Sequence, residues 1–264
     1  MVVFYFSGTG NSKFIAEVFC QNMKALCYSI EDEVDFSGLI NSEEVIGFCY
    51  PIYGSRVPRN MRQFVQKFLP DLKGKKLIIF ATQLLFSGDG ARVLTDLFPD
   101  DYIEVIYADH FYMPNNVSNI FLLRQRSTKS QEKKFLKAEK KIITICNDIK
   151  SGKVKRKGFS TFSKIIGKVQ GNSWQKDSKS VDLVPGSMEE KIAKSVNVNQ
   201  DCTLCSICVK VCPVKNLELE NKSIAANDNC IVCYRCVNIC PEQAISVMLK
   251  AKPKWQYKCL QSLQ

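Results

Sequence analysis

Along the first 150 residues, short apolar runs alternate with segments of helical period. Val2 to Phe6 is a continuous apolar run that ends in glycine-rich sequence, which predicts a buried parallel strand. Ile15, Val18, Phe19, Met23 and Leu26 follow at helical spacing and predict a helix over 11–26. The alternation repeats: a strand over 44–50 and a helix over 58–69, with Pro58 in the first turn. Then come a strand over 76–82, a helix over 91–98, a last clear strand over 102–108 and a long helix over 131–150. In that last helix Phe135, Ala138, Ile142, Ile145 and Ile149 share a face, and Gly152 lies near its end. Repeated strand–helix units imply a parallel sheet with helices on both faces.

The pattern weakens over 151–200. The basic run Lys153–Lys157 opens a polar stretch in which Phe159, Phe162, Ile165, Ile166 and Val169 suggest a short amphipathic helix. Pro185-Gly186 marks a turn, and a further helix is expected from Met188. The whole reads as a partly ordered connector. From residue 201 the chain repeats itself at an offset of 28.

At 264 residues the chain has room for two domains. Its apolar fraction of 45% and charged fraction of 24% are those of folded protein. The formal charge of +11 is uneven: +2 over 1–150, +6 over 151–200 and +3 over 201–264. The excess therefore marks a basic connector and not a uniformly cationic surface. The uncharged stretch 77–88 is too short and polar to span a bilayer, and no basic leader precedes Val2. A cytoplasmic protein is expected.

Cysteine changes the picture. Eight of the thirteen lie between Cys202 and Cys240, while His110 is the only histidine, so any metal must be held by thiolate. Cys202, Cys205, Cys208 and Cys212 precede Pro213; Cys230, Cys233, Cys236 and Cys240 precede Pro241. Each copy is C-x2-C-x2-C-x3-C-P, the spacing of bacterial two-cluster iron–sulfur proteins. A tight loop with a ligand every third residue reaches three corners of a cubane. The fourth thiolate is carried off toward the partner cluster. One 4Fe–4S cluster is thus expected on Cys202, Cys205, Cys208 and Cys240, and the second on Cys230, Cys233, Cys236 and Cys212. Structural zinc prefers separated pairs and fits this spacing poorly. Cys20, Cys27, Cys49 and Cys146 read as small buried apolar residues, and Cys259 as a free, exposed thiol.

Strand 2–6 runs into Ser7, Gly8, Thr9, Gly10, Asn11 and Ser12 and then a helix. Free amides at a helix N-terminus beside hydroxyls make a phosphate cradle. Lys13 breaks a G-x-G-x-x-G dinucleotide fingerprint, and a Walker A loop is absent. A flavin mononucleotide phosphate is the remaining candidate. Pro51, Tyr53 and Gly54 end the third strand, and Thr82, Phe86, Gly88 and Asp89 follow the fourth. In open α/β sheets such strand-end loops converge on the ligand. Tyr53 is suited to stack on the flavin ring, and Phe86 is the weaker stacking candidate.

Residues 1–150, through Ser7-Gly-Thr-Gly-Asn-Ser12, resemble flavodoxins, and 201–245, through the cysteine repeat and Cys240-Pro-Glu-Gln-Ala-Ile245, resemble two-cluster ferredoxins. Together they resemble the fused flavodoxin–ferredoxin proteins of anaerobic bacteria. The resemblance implies a doubly wound flavodoxin-like sheet of order 2-1-3-4-5 with FMN over 1–150. It implies a basic connector over 151–200, an α+β ferredoxin domain over 201–250 and a tail over 251–264. It further implies that the flavin stacks on Tyr53 and that the Gly54 peptide flips on reduction. The net positive charge of 201–264 departs from the usual acidic ferredoxin.

The expected function is electron relay between two 4Fe–4S clusters and FMN, with redox proteins as partners and no nucleic acid. No catalytic constellation is visible, and His110 reads as a loop residue after the last strand. A second reading is a flavin-dependent reductase with a pocket closed by 110–126 and lined by Phe111, Tyr112, Met113 and Pro114. Either way the connector could lie against acidic residues such as Glu31 and Glu33.

Overall fold

The computed structural model describes residues 1–120 and 127–259. Six parallel strands form the main sheet: β1 (Val2–Tyr5), β2 (Leu26–Ser29), β3 (Val45–Pro51), β4 (Lys76–Gln83), β5 (Glu104–Tyr112) and β6 (Lys155–Arg156). Their order is β2-β1-β3-β4-β5-β6. The first five reproduce the expected 2-1-3-4-5 winding. The sixth comes from the basic run, with Tyr107 opposite Lys155 and Ala108 opposite Arg156.

Both faces are covered, which is why the inner strands read as unbroken apolar runs. Helix α1 (Asn11–Met23) and helix α4 (Thr128–Lys150) close one face, where Phe14, Ile15, Phe19, Phe135 and Ile142 meet Val3, Ile78 and Phe80. Helices α2 (Phe36–Asn41) and α3 (Arg59–Lys67) cover the other, over Phe4, Phe48 and Ile79. The helix expected over 91–98 is a 3-10 helix, Arg92–Leu97. Pro99 forces Phe98 into an extended conformation (ψ 147°), and one short segment remains.

His110 corrects its expected place. It lies within β5, buried, and its Nε2 accepts the Ala91 N–H at 2.9 Å.

The connector is folded. Helix α5 (Thr161–Trp174) and helix α6 (Met188–Ala193) both pack on the α/β half. Gly167 and Gly171 of α5 press on Asp89 and Arg56 so closely that any Cβ there would collide. Glu189 of α6 forms a buried ion pair with Arg62 of α3 at 2.9 Å. The amphipathic helix expected here forms, but its apolar residues Phe162, Ile165 and Val169 face outward.

The cysteine-rich part holds two small antiparallel pairs. Strand β7 (Asn197–Val198) pairs with β10 (Ile245–Ser246), and β8 (Leu217–Glu220) pairs with β9 (Ser223–Ala226). Helices α7 (Ile207–Val211) and α8 (Arg235–Ile239) start at equivalent points of the repeat. The sequence repeat is also a backbone repeat. Leu204 and Val232, Ser206 and Tyr234, and Lys215 and Gln243 are pairs 28 apart, and all six have positive φ between 49° and 60°.

Candidate cofactor sites

Four loops leave the carboxyl edge of the sheet and meet in one cavity of about 220 Å³. Ser7, Gly8, Thr9, Asn11 and Ser12 line it from the first loop. Pro51, Tyr53 and Gly54 line it from the second, and Thr82, Gln83 and Leu84 from the third. Met113 to Val117 line it after β5. Of the four residues expected to line a pocket closed by 110–126, Met113 and Pro114 line this cavity, Phe111 is buried in the core and Tyr112 is exposed, while 121–126 lie outside the described residues.

The first loop has the geometry that suits an anion. Gly10 caps α1 with φ 101°, a left-handed conformation that favours glycine. The first intrahelical bond runs from Phe14 N–H to the Gly10 carbonyl. The amides of Asn11, Ser12 and Lys13 precede that bond and stand at the positive end of the helix dipole. Ser7 Oγ accepts the Gly10 N–H at 3.0 Å, and Ser12 Oγ lies 2.7 Å from Thr82 Oγ1. Gly10 itself faces the opposite side of the loop, where Cys259 packs on it. Cys259 is therefore buried and not exposed as expected, and Tyr257 OH donates to Asn11 Oδ1 at 2.6 Å beside it.

Tyr53 is set by a tight hairpin. Its N–H and carbonyl both bond Arg56, and Gly54 and Ser55 between them have φ 54° and 58°. The Tyr53 hydroxyl is buried without a hydrogen-bond partner, as is Gln83 Nε2. Burial, and then the Cys233 thiol, push the phenol well above its ordinary value. Trp174, from the end of α5, lies against Gly54 and gives the cavity a second aromatic wall. Phe86, Gly88 and Asp89 do not join this cavity. Phe86 is exposed, Gly88 packs on α5, and Asp89 pairs with Arg92 at 2.5 Å.

Cys212, Cys230, Cys233 and Cys236 line a second cavity beside Tyr234 and Arg235. Burial pushes the Cys230 thiol up to about 11. Burial, then Cys230, push Cys233 up to about 12. The other set stands together as well: burial raises Cys208, and Cys202, Cys240 and Cys205 each add to the effect. Backbone amides reach the sulfurs in matched fashion. Asn216 N–H donates to Cys212 Sγ at 3.2 Å, and Ala244 N–H to Cys240 Sγ at 3.4 Å, again 28 residues apart. Val232 N–H donates to Cys230 Sγ at 3.2 Å.

Among the described residues, no three Cys, His, Asp or Glu side chains close on a point that could hold one metal ion. The second set instead lines a small cavity of about 20 Å³, and a multi-iron cluster takes four separated thiolates and not one shared point. The thiolate donor set and the amides aimed at sulfur fit such a group. The phosphate cradle and the unpartnered Tyr53 and Gln83 groups fit a flavin nucleotide. The cavity is smaller than the ~300–1,000 Å³ usual for ligand sites, because Trp174, Val232, Tyr234 and Met248 lean in from the connector and the cysteine-rich half.

Those side chains, with Arg235 and Asn116, are what sequence reasoning missed. Asn116 Nδ2 donates to Thr9 Oγ1 at 3.0 Å and to the Cys233 carbonyl at 3.4 Å, so one amide touches both halves. The signal available was slight: Trp174 is one of only two tryptophans, and Arg235 stands between two cysteines.

A parallel α/β sheet with an anion cradle at its strand ends, joined to a doubled cysteine repeat, defines an electron-transfer protein of flavin and iron–sulfur type. The chain belongs to the flavodoxin domain family, whose model matches residues 2–180. Residues 201–245 match the 4Fe–4S dicluster domain, so the chain is a fused flavodoxin–ferredoxin protein. Solved structures similar to the α/β half include two-electron reduced Megasphaera elsdenii flavodoxin, at 23% identity over 53% of this chain and 99% of that one, TM-score 0.36. A flavodoxin from the domain Archaea is 15% identical over 56% and 97%, TM-score 0.34. The Trp repressor binding protein of Bacillus subtilis is 14% identical over 53% and 95%, TM-score 0.37. No curated protein matches the chain.

Proposed function

We propose that this chain relays electrons between two 4Fe–4S clusters and an FMN. Cys202, Cys205, Cys208 and Cys240 would hold one cluster, and Cys230, Cys233, Cys236 and Cys212 the other. Ser7, Gly8, Thr9, Gly10, Asn11, Ser12 and Thr82 would hold the phosphate end of the flavin, with Tyr53 and Gly54 at its ring. Bound clusters supply one-electron chemistry and a bound flavin one- or two-electron chemistry, so the fusion suits conversion between electron pairs and single electrons.

One observation carries the reading. The Cys233 carbonyl packs against Gly8 so closely that a Cβ on Gly8 would meet it, and the Tyr53 hydroxyl borders the same point. The ligand loop of the inner cluster and the phosphate loop are in direct contact. No diffusional encounter of the two halves is then needed. In the outer set Cys205 is exposed and Cys202 half-buried, with Cys208 and Cys240 buried, whereas in the inner set none is exposed and only Cys212 is half-buried. The outer set is thus the one available to a redox partner protein.

Stopped-flow mixing of the anaerobic full chain with reductant tests this. Flavin absorbance should bleach after cluster absorbance at a rate independent of protein concentration. A rate that scales with concentration means transfer between molecules and removes the internal relay.

A further inference from the structure

Helix α5 is built inside out. A surface helix ordinarily turns its apolar stripe to the core. Here the stripe Phe162, Ile165 and Val169, at positions i, i+3 and i+7, is 69%, 58% and 69% exposed. The buried side carries Gly167 and Gly171, which fit against Asp89 and Arg56 with no room for a larger residue. Arg56 donates to the Gly167 carbonyl at 3.3 Å and to Asn172 Oδ1 at 3.3 Å, and Ser55 Oγ donates to Gln170 Oε1 at 3.0 Å. The orientation is therefore fixed by polar bonds on one side, and the apolar stripe is left in water on the other. Leu85 and Phe86, also exposed, lie on the loop whose Gly88 packs on this helix.

The segment that carries the stripe has charge of one sign, although Lys153, Lys155 and Lys157 are paired with Asp148 and Asp109. Residues 149–176 contain eight Lys or Arg and no Asp or Glu. Lys164 and Lys168 are exposed on the helix itself. An exposed apolar stripe on a helix whose only charged residues are Lys164 and Lys168 is the composition of a helix that lies in a bilayer interface. Its apolar side chains enter the acyl boundary while the lysine stems reach back to anionic headgroups. A second copy of this chain is a poor occupant, because apposed α5 helices would bring lysines together with no carboxylate in the segment to offset them.

We propose that the outward face of α5 docks this protein on an anionic lipid surface. No helix among the described residues is long and apolar enough to cross a membrane, so the attachment is peripheral.

Vesicle sedimentation of the full chain, carrying its cofactors, tests this. Vesicles of phosphatidylcholine alone are compared with vesicles of phosphatidylcholine mixed with phosphatidylglycerol. The full chain should sediment with the mixed vesicles at low salt and be released by high salt. A triple Phe162→Ser, Ile165→Ser, Val169→Ser variant should lose binding while its cofactor spectrum is unchanged, since all three side chains are exposed. A Lys164→Glu, Lys168→Glu variant should bind about thirtyfold more weakly or worse, at about 1 kcal/mol per lysine near an anionic surface. No preference for anionic vesicles, or binding that survives the triple substitution, overturns the proposal. So does sedimentation equilibrium that finds a dimer dispersed by the same triple substitution, which would make a second copy the occupant.

Discussion

Arg235, two residues after Cys233, crosses to the α/β half and grips Glu31 with two bonds of 2.7 Å each. The same guanidinium donates to the Ser7 carbonyl at 2.9 Å and the Gly8 carbonyl at 3.1 Å. One side chain thus ties the inner cysteine loop to the phosphate loop. Glu31, one of the acidic residues expected to attract the connector, is engaged by the cysteine-rich half instead. Arg235→Ala should cost about 2 kcal/mol of docking, the scale of hydrogen bonds to a charged group. Internal flavin reduction should slow several-fold and become salt-dependent, which stopped-flow mixing at two ionic strengths checks. An unchanged rate at both would mean Arg235 does not hold the halves together.

Crossed ligation has its own signature. Cys212→Ala removes a thiol that borders the cavity of Cys230, Cys233 and Cys236 and not the set of its sequence neighbours. Two cubanes require about eight irons per chain, and the variant should retain about four. Iron and sulfide analysis of anaerobically prepared protein reads this out. The surviving cluster should still be lost when Cys202 is also replaced, and kept when Cys230 is.

The phosphate loop predicts discrimination between flavins. With a hydroxyl-and-amide cradle at the N-terminus of α1, FMN should bind much more tightly than riboflavin. Gly10→Val should abolish the preference, because φ 101° strains any side chain and Cys259 already fills the space a Cβ would take. Fluorescence titration of flavin-free protein with each flavin measures both. Equal affinities would remove the phosphate reading.

His110 sets a pH dependence. Burial, and then the charge of Lys157, hold it down to about 4 from an ordinary 6.5. The folded state keeps the imidazole neutral, so its contribution is present above pH 6.5 and is lost as pH falls from there through 4. The full effect is about 3 kcal/mol. His110→Gln keeps an acceptor for the Ala91 N–H and removes the titration. Between pH 6.5 and 4 the thermal midpoint of the native chain should fall more steeply than that of the variant. Parallel curves would rule His110 out as the titrating group.

The parallel strands were legible because buried strands leave long apolar runs with turns between them, as at Val2–Phe6 and Lys76–Thr82, whereas their order came only from the resemblance to flavodoxins. The repeat was legible because cluster spacing constrains the chain locally, and the paired positive-φ residues at Val232 and Leu204 express the same constraint. What could not be read was which face of a helix meets the core when its small residues do the packing. Apolar Phe162, Ile165 and Val169 suggested an inward stripe, but Gly167 and Gly171 allow the closer approach to Asp89 and Arg56. Nor could Cys259 be placed, because the tail that carries it is positioned by contacts to Asn238 and to Asn11, the latter at the other end of the sequence. Phe86 sits in a strand-end loop as Tyr53 does. Only Tyr53 is turned inward, by a hairpin whose geometry depends on the positive φ of Gly54 and Ser55.

The cavity at the strand ends is partly roofed by the other half of the molecule: Val232, Tyr234 and Met248 lean over it, and Asn116 bonds both sides. A ligand seated there loses that part of its cover when the halves part. The dissociation rate of a bound flavin is then a clock for that opening. Damage to the inner cysteine loop should quicken the clock even though no residue of that loop belongs to the phosphate cradle.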